Sequence, residues 1–355
     1  MPGVTPQRNG DAVPSGRDVQ SRTGALDPSP MELEGSAPGP PPTPSLGDTL
    51  PGIGPRRHTS SAPEQTRRSD DDVRDRLCRL GYALRGRLGS GGMGEVWRAR
   101  SLRLDRDVAI KRVTAAVPGA LDRLVHEAKA IARLRHPAIV QVFDIVYDDE
   151  IPYLVMELVE GSDLGAVLDA EGPLEQGRAV TLLAQVVAGL HAAHLHDVVH
   201  RDVKPDNILL TRDERGAERA VLLDFGISHV ASVDGAQAPC AGTPDFMAPE
   251  QILGESVGPA SDQWSACVTA YCLVTGHSPF HRHDVLETFA AIERAPLAYP
   301  RDVELDPGLF AILARGTRKS ASERYSDLAE LGAALHAWLR RRSPRALATD
   351  PWTSP

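Results

Sequence analysis

One run of eight residues decides the fold of this chain: HRDVKPDN, at positions 200–207. It brings an acid, a cation and a carboxamide close together in the sequence, as Asp202, Lys204 and Asn207. The run follows an apolar helical segment and precedes the strand-like residues 208–210, which predicts a loop at the end of a strand. Such a loop can aim a carboxylate at a hydroxyl proton, an ammonium at a developing phosphate charge and an amide oxygen at a metal ion. The run therefore predicts a catalytic loop.

A second short motif, DFG at positions 224–226, follows another apolar run and offers the carboxylate of Asp224 to a hard cation. In this order and spacing, the two motifs resemble the active site of the eukaryotic-type (Hanks-type) protein kinases, and Lys204 is typical of the Ser/Thr form. The alternative is a pair of unrelated polar turns. The resemblance implies an α+β, two-lobed protein kinase fold with a small β-rich N-lobe containing one helix and a larger helical C-lobe.

A glycine-rich run, GSGGMG at positions 89–94, lies between the strand-like residues 82–88 and 96–100. The glycines lead into a strand and not into the helix that a dinucleotide-binding fold requires. The pattern therefore favours a hairpin that covers nucleotide phosphates with its backbone N–H groups, with a plain hairpin turn as the alternative. By the resemblance, this part of the ATP site comprises Leu88, Gly89, Ser90, Gly91, Gly92, Met93, Gly94, Glu95 and Val96.

The resemblance also implies how the phosphates are held. Lys111, in the strand-like residues 108–111, would contact the α- and β-phosphates, fixed by an ion pair with Glu127 from a helix predicted over residues 121–134. A solvated helix carboxylate is the alternative for Glu127. The rest of the implied ATP site comprises Ala109, Leu209 and, through the backbone of the hinge, Glu157 and Val159.

Motifs farther along the chain extend the resemblance. Residues 226–250 match the activation segment, and Thr243 matches the hydroxyl that meets the catalytic aspartate. Asp262 matches a buried anchor of the catalytic loop, and Arg324 matches the arginine that pairs with Glu250. Ser232 is the hypothesised phosphate acceptor of the segment, with a segment ordered without phosphorylation as the alternative.

The implied chemistry is transfer of the ATP γ-phosphoryl group to Ser or Thr hydroxyls of proteins, with autophosphorylation and a signalling role. Asp202 would orient the hydroxyl and accept its proton, and Lys204 would stabilise the transferring group. Asn207 and Asp224 would hold Mg²⁺. The implied cofactors are ATP and Mg²⁺, and the catalytic residues are Asp202, Lys204, Asn207 and Thr243.

Composition sets the wider expectations. The 355 residues carry a net charge of −9, which argues against a nucleic-acid partner. Four cysteines without metal-ligand spacing, and the lack of a long apolar run, predict a cytoplasmic protein with no membrane contact. Only four of the 39 basic residues are lysine, a bias that suits a GC-rich bacterial genome. His191, His194 and His196 are interpreted as helix-surface histidines, with a metal site as the alternative.

The predicted organisation is a disordered Pro/Gly/Ser-rich tail over residues 1–76, a protein kinase domain over 82–340 and a short tail over 341–355. Partners would be ATP, protein substrates bearing Ser or Thr, and a second copy of the chain for trans-autophosphorylation. Two other functions stay open. A pseudokinase scaffold would normally have lost Lys111, Asp202 or Asp224, and a small-molecule phosphotransferase would lack the segment from Thr243 to Glu250.

Overall fold

A five-stranded antiparallel sheet forms the first part of the described structure. The computed structural model describes residues 64–91, 94–113, 120–149, 151–225 and 244–342. The elements of this first part are β1 (Tyr82–Gly91), β2 (Gly94–Ser101), β3 (Arg106–Arg112), α2 (Ala120–Ala132), β4 (Val142–Asp148) and β5 (Ile151–Glu157). Within the described residues the sheet has the order β1-β2-β3-β5-β4, and helix α2 connects β3 to β4.

Alternation along β3 gives the sheet two different faces. Val108 and Ile110 are buried in one apolar cluster, while Ala109 is buried in another and Lys111 lies on the same face as Ala109. Successive side chains on a strand point to opposite sides, so the residues between two buried positions are free to serve a different surface. The face that carries Lys111 becomes the candidate active site.

Helix α1 (Glu64–Arg79) covers the other face of this sheet. Its Val73 and Leu77, spaced i and i+4, are 1% and 0% exposed and share a cluster with Trp97 and Tyr153. The predicted disorder of residues 1–76 is therefore wrong from Glu64 onward, because a strongly charged helix still has one apolar stripe that buries large side chains of β2 and β5.

Ion pairs add to this docking. Arg76 and Arg79 reach the carboxylate of Asp148, at the end of β4, with contacts of 3.0 and 2.8 Å. Their hydrogen bonds lower the pKa of Asp148 below its ordinary value, the contact with Arg79 being the largest cause. The sheet lobe thus carries two helices, where the resemblance implied one.

The second part is mainly helical, around the buried helix α6. Every residue from Ser261 to Thr275 is buried, so the rest of the lobe encloses this helix on all sides. The helices are α3 (Leu164–Glu171), α4 (Gln176–His194), α5 (Pro249–Ile252), α6 (Pro259–Thr275), α7 (Val285–Arg294), α8 (Pro307–Gly316) and α9 (Leu328–Arg342). A small antiparallel sheet joins β6 (Ser162–Asp163), β7 (Ile208–Arg212) and β8 (Glu218–Leu222).

The whole agrees with the predicted α+β arrangement of a sheet lobe and a helical lobe. Helix α9 ends at Arg342, two residues past the predicted end of the domain. Residues 1–63 and 343–355 of the predicted tails lie outside the described residues. Where the structure describes the chain, none of its helices has the length and apolar character needed to cross a bilayer.

Candidate active site

The backbone of the predicted catalytic loop is fastened to helix α6. The fully buried carboxylate of Asp262 accepts the backbone N–H groups of His200 and Arg201, each at 2.8 Å. The same carboxylate lies 2.7 Å from Nε2 of His194, at the end of α4. Hydrogen bonds to an ionised group are among the stronger ones in proteins, so three elements are tied at one point.

Arg201 shows what this anchoring accomplishes. Its backbone has φ of 68°, in the left-handed region that a non-glycine residue seldom adopts. The N–H of Arg201 is held by Asp262, and its carbonyl accepts Nε2 of Gln251 at 2.9 Å. Two hydrogen bonds therefore hold the turn that presents the next residue, Asp202.

The three side chains singled out in the sequence do come together. The ammonium of Lys204 lies 2.9 and 3.1 Å from the two carboxylate oxygens of Asp202. Nδ2 of Asn207 donates to the backbone carbonyl of Asp202 at 2.8 Å and to its carboxylate at 2.7 Å. Because the amide nitrogen of Asn207 is used in this way, its oxygen is the atom that faces away and is able to bind a cation.

The second motif lies beside the loop. The carbonyl of Leu223 is 2.7 Å from Nε2 of His200, and the N–H of Leu223 donates to the carbonyl of Asn207 at 2.9 Å. The ring of Phe225 is 2% exposed and packs on the ring of His200, with centroids 4.6 Å apart. Asp224, between Leu223 and Phe225 in the sequence, has a φ of 50°. It is a second strained backbone position at the same site.

The predicted ion pair between Lys111 and Glu127 is not formed, which corrects that expectation. The ammonium of Lys111 lies 2.8 Å from Oδ1 of Asp224, outside the geometry of a directed hydrogen bond. Nη1 of Arg201 contacts Glu127 at 3.5 Å. The side chain of Lys111 is 2% exposed and needs a nearby counter-charge, which Asp224 supplies, while Glu127 faces the catalytic loop.

The glycine turn lies where β1 meets β2. Gly94 has φ of 118°, and a Cβ there would stand 2.5 Å from the carbonyl oxygen of Arg112, so only glycine fits. Glu95 pairs with Arg87 across the hairpin at 2.7 Å. Leu88 is 53% exposed and is not in the apolar cleft. Gly92 and Met93 lie outside the described residues.

An apolar cleft extends from this turn to the end of β5. Val96, Ala109, Val159 and Leu209, four residues of the predicted ATP site, belong to one cluster. The other members are Val140, Met156, Leu158, Val221 and Leu223. The flat faces of a planar aromatic base such as adenine suit a cleft lined in this way.

A buried ion pair fastens the segment after Thr243 to the helical lobe. Arg324, whose side chain is fully buried, makes two contacts with Glu250, at 2.7 and 2.9 Å. Ser261 donates to the same carboxylate at 2.7 Å. Burial by itself raises the pKa of Glu250, but the bonds from Arg324 and Ser261 hold it below the ordinary value. Thr243 itself lies outside the described residues, as do Ser232 and most of the activation segment.

Comparison with known proteins agrees with this geometry. The model of the family described as protein kinase domain matches residues 82–338, well over half of the chain. This chain belongs to the protein kinase family. The match confirms the predicted family and the two-lobed α+β fold.

Similar proteins place this protein kinase among bacterial serine/threonine kinases. It is 38% identical over 263 residues to serine/threonine-protein kinase pkn2 of Myxococcus xanthus, covering 70% of this chain and 31% of that protein. It is 35% identical over 276 residues to PknL of Mycobacterium tuberculosis, covering 75% and 68%. It is 34% identical over 289 residues to PknB of Mycolicibacterium smegmatis, covering 77% and 46%. The names of these relatives agree with the predicted class of enzyme.

Sequence reasoning missed several residues that hold this site. The side chain of His194 is 9% exposed and contacts Asp262, so its interpretation as a helix-surface histidine is wrong. Gln251 supports the catalytic loop through the carbonyl of Arg201. The position of His194, at the end of the helix that precedes the loop, was the available signal. Among the described residues, no group of three or more His, Cys, Asp or Glu side chains could hold a metal ion, so the alternative histidine metal site finds no support there.

Proposed function

We propose that this protein kinase transfers the γ-phosphoryl group of ATP to serine or threonine hydroxyls of proteins, with Asp202 as the residue that accepts the hydroxyl proton. The observation that carries the proposal is that Lys204 and Asn207 both contact the carboxylate of Asp202, at 2.7–3.1 Å, on a loop fastened by Asp262. A phosphoryl transfer depends mainly on positioning and on charge stabilisation, and this arrangement provides both.

Each side chain then has a defined task. Asp202 orients the hydroxyl and takes its proton, and Lys204, held on the same carboxylate, places a positive charge where the transferring oxygens gather negative charge. Lys111 faces the cleft from β3 and would orient the α- and β-phosphates. The apolar group that contains Ala109 and Val159 would bind adenine, with backbone groups of Glu157 and Val159 at its edge. Thr243 completes the proposed catalytic set.

The donor atoms suit a magnesium ion. The amide oxygen of Asn207 and the carboxylate of Asp224 are hard oxygen ligands, and the amide nitrogen of Asn207 is already committed to Asp202. These two residues would hold Mg²⁺, which, when bound, neutralises charge between the β- and γ-phosphates. The protein's own part is to keep both oxygens turned toward the cleft.

We further propose the organisation and partners of the chain. The kinase domain would run from residue 82 to the end of α9, with α1 docked on it. The whole protein would be cytoplasmic, would act on protein substrates without nucleic-acid or membrane partners, and would self-associate for autophosphorylation. These proposals rest on the composition and on the relatives, of whose lengths the chain spans between 31% and 68%.

The proposed role of Asp202 is tested by transfer of labelled γ-phosphate from Mg-ATP to the protein itself and to a generic basic protein. Asp202→Asn should lower the rate roughly 10²- to 10⁴-fold, the range for loss of a positioned proton acceptor, with nucleotide affinity within a few-fold of native. Asp169→Asn, an exposed aspartate on α3, is the matched control and should act like the native protein. Transfer that persists in Asp202→Asn would refute the role, and a native protein that binds nucleotide without transfer would favour a scaffold.

A further inference from the structure

A cavity of about 580 Å³ lies behind the strand that ends in the hinge. It is bounded by the end of α2, by β4, by the last residue of β5 and by β8. Met156 faces the apolar cleft, so its neighbour Glu157 points to the other side of the strand, where it lines this cavity. The cavity is therefore separate from the proposed ATP site and shares one strand with it.

Positive charge dominates the lining of this cavity. Arg106, Arg135 and Arg219 line it, and Glu157 is the one acidic residue among the lining residues that the structure describes. His136 also lines it, and because its Nδ1 accepts the N–H of Ala138 at 3.1 Å, the N–H of the neutral ring is on Nε2. Within the described part of the chain, neither this N–H nor the three guanidinium groups donate a hydrogen bond to the protein.

Several arginines outside this cavity are paired with carboxylates. Arg98, Arg178 and Arg324 each lie within 3 Å of a carboxylate, in keeping with a net charge of −9. In the part of the chain that the structure describes, Arg106, Arg135 and Arg219 form no ion pair. Arg106 only stacks on the ring of Phe143, 3.6 Å from its centroid.

Two donors in the cavity wall are buried without an acceptor. Nε of Arg106 and Nε of Arg219 are both buried and have no hydrogen-bond partner among the described residues. A buried donor that stays unpaired costs free energy, and such groups are rare in folded proteins unless a ligand or ion completes them. Glu157 does not complete them, and its carboxylate faces the N–H of Gln141 at 3.4 Å.

We propose that this cavity is a binding site for a phosphate-bearing anion. Guanidinium groups bind phosphate through paired, parallel N–H donors, and three of them around one cavity exceed the single negative charge of Glu157. The volume lies in the range of sites for small molecules. The chemistry is that of a phosphate monoester, either a free phosphate compound or a phosphorylated side chain of this chain itself.

The first test is calorimetric titration of the dephosphorylated full chain with inorganic phosphate, against chloride at equal ionic strength. Saturable binding is expected for the native protein. Arg219→Gln and Arg135→Gln should each weaken it at least about tenfold, the cost of losing one hydrogen bond to a charged group. Arg133→Gln, an exposed neighbour that does not line the cavity, is the matched control and should bind as the native protein does.

Two controls locate the binding. Lys111→Met should leave phosphate affinity unchanged if the anion lies behind the hinge, and should abolish it if the anion lies in the ATP cleft. Arg135 is exposed, so its substitution keeps the test valid even if Arg219→Gln lowers the thermal midpoint. The proposal is overturned if phosphate and chloride behave alike, or if Arg219→Gln and Arg135→Gln bind phosphate as tightly as Arg133→Gln.

A second titration identifies the source of the phosphate. The protein is incubated with Mg-ATP, freed of nucleotide and titrated again. If the heat of phosphate binding disappears after this treatment and returns when a phosphatase is added, a phosphorylated residue of the chain fills the cavity. Unchanged binding would identify a free phosphate compound as the ligand. Either result supports the site, and neither depends on which residue accepts the proton in the kinase reaction.

Discussion

The helical lobe and the sheet lobe of this kinase treat a buried charge in different ways. Asp262 in the helical lobe is satisfied by two backbone N–H groups and by His194, all within 2.8 Å. Lys111 in the sheet lobe has one ion pair with Asp224, and the partner expected for it, Glu127, contacts Arg201 instead. The carboxylate of Asp262, bound from several directions, is fixed in one position. The ammonium of Lys111, bound by one side chain, is able to change its partner.

The largest expected effect is on the helical side of this comparison. Arg324→Met leaves the carboxylate of Glu250 buried with no cation, which should lower the free energy of unfolding by about 3–5 kcal/mol. Urea denaturation followed by circular dichroism measures it. The matched control is Arg74→Gln, because Arg74 makes an exposed pair with Asp71 whose loss should cost under about 1 kcal/mol. Equal losses in the two variants would contradict the distinction.

Asp262→Asn should have the second largest effect on stability. An asparagine keeps the shape but cannot accept from three donors, so one or two hydrogen bonds to a charged group are lost, about 2–3 kcal/mol. The loop that carries Asp202 should loosen as well. A lower turnover with little change in nucleotide affinity is therefore expected, and an effect on nucleotide affinity alone would argue against the anchoring role.

The sheet lobe is tested by a matched pair of substitutions in the nucleotide-free protein. Asp224→Asn removes the counter-charge of buried Lys111 and should destabilise by about 2 kcal/mol, whereas Glu127→Gln should cost less than about 1 kcal/mol. The reverse ranking in thermal unfolding would show that Lys111 pairs with Glu127 in solution, as the sequence predicted.

The smallest effect concerns pH. The folded-state pKa of Glu250 is lowered, so its ionised form stabilises the fold above the unfolded-state value of about 4.3, and this contribution is lost as pH falls through the lower folded-state value. The stability difference between native protein and Glu250→Gln should therefore be constant near pH 7 and shrink toward pH 3. A difference that does not change with pH in urea titrations would refute the linkage.

Much of the site could be predicted because its residues are adjacent in sequence. The loop of Asp202, Lys204 and Asn207 closes on itself, so local spacing fixes its geometry. The apolar cleft was predicted in part, since Ala109 and Leu209 lie on strands whose alternation is visible. The contacts that were missed join distant segments. His194 contacts Asp262, which is 68 positions away in the sequence. Whether Glu127 contacts Lys111 or Arg201 depends on the orientation of α2 in the fold, and the periodicity of the sequence does not determine that orientation.

Helix α1 was missed for a related reason. Its charged composition resembles that of a disordered tail, and only Val73 and Leu77 show an apolar stripe. The stripe stabilises the helix by packing on Trp97 and Tyr153, and the sequence of the helix does not reveal that these residues form its partner surface.

That docking has a practical consequence for producing the enzyme. A fragment cut at residue 82, where the family model begins, would lose Val73 and Leu77 and uncover a broad apolar surface around Trp97. Exposed surfaces of this kind promote aggregation, so recombinant yield and storage life should fall sharply between fragments that start before residue 64 and those that start at 82.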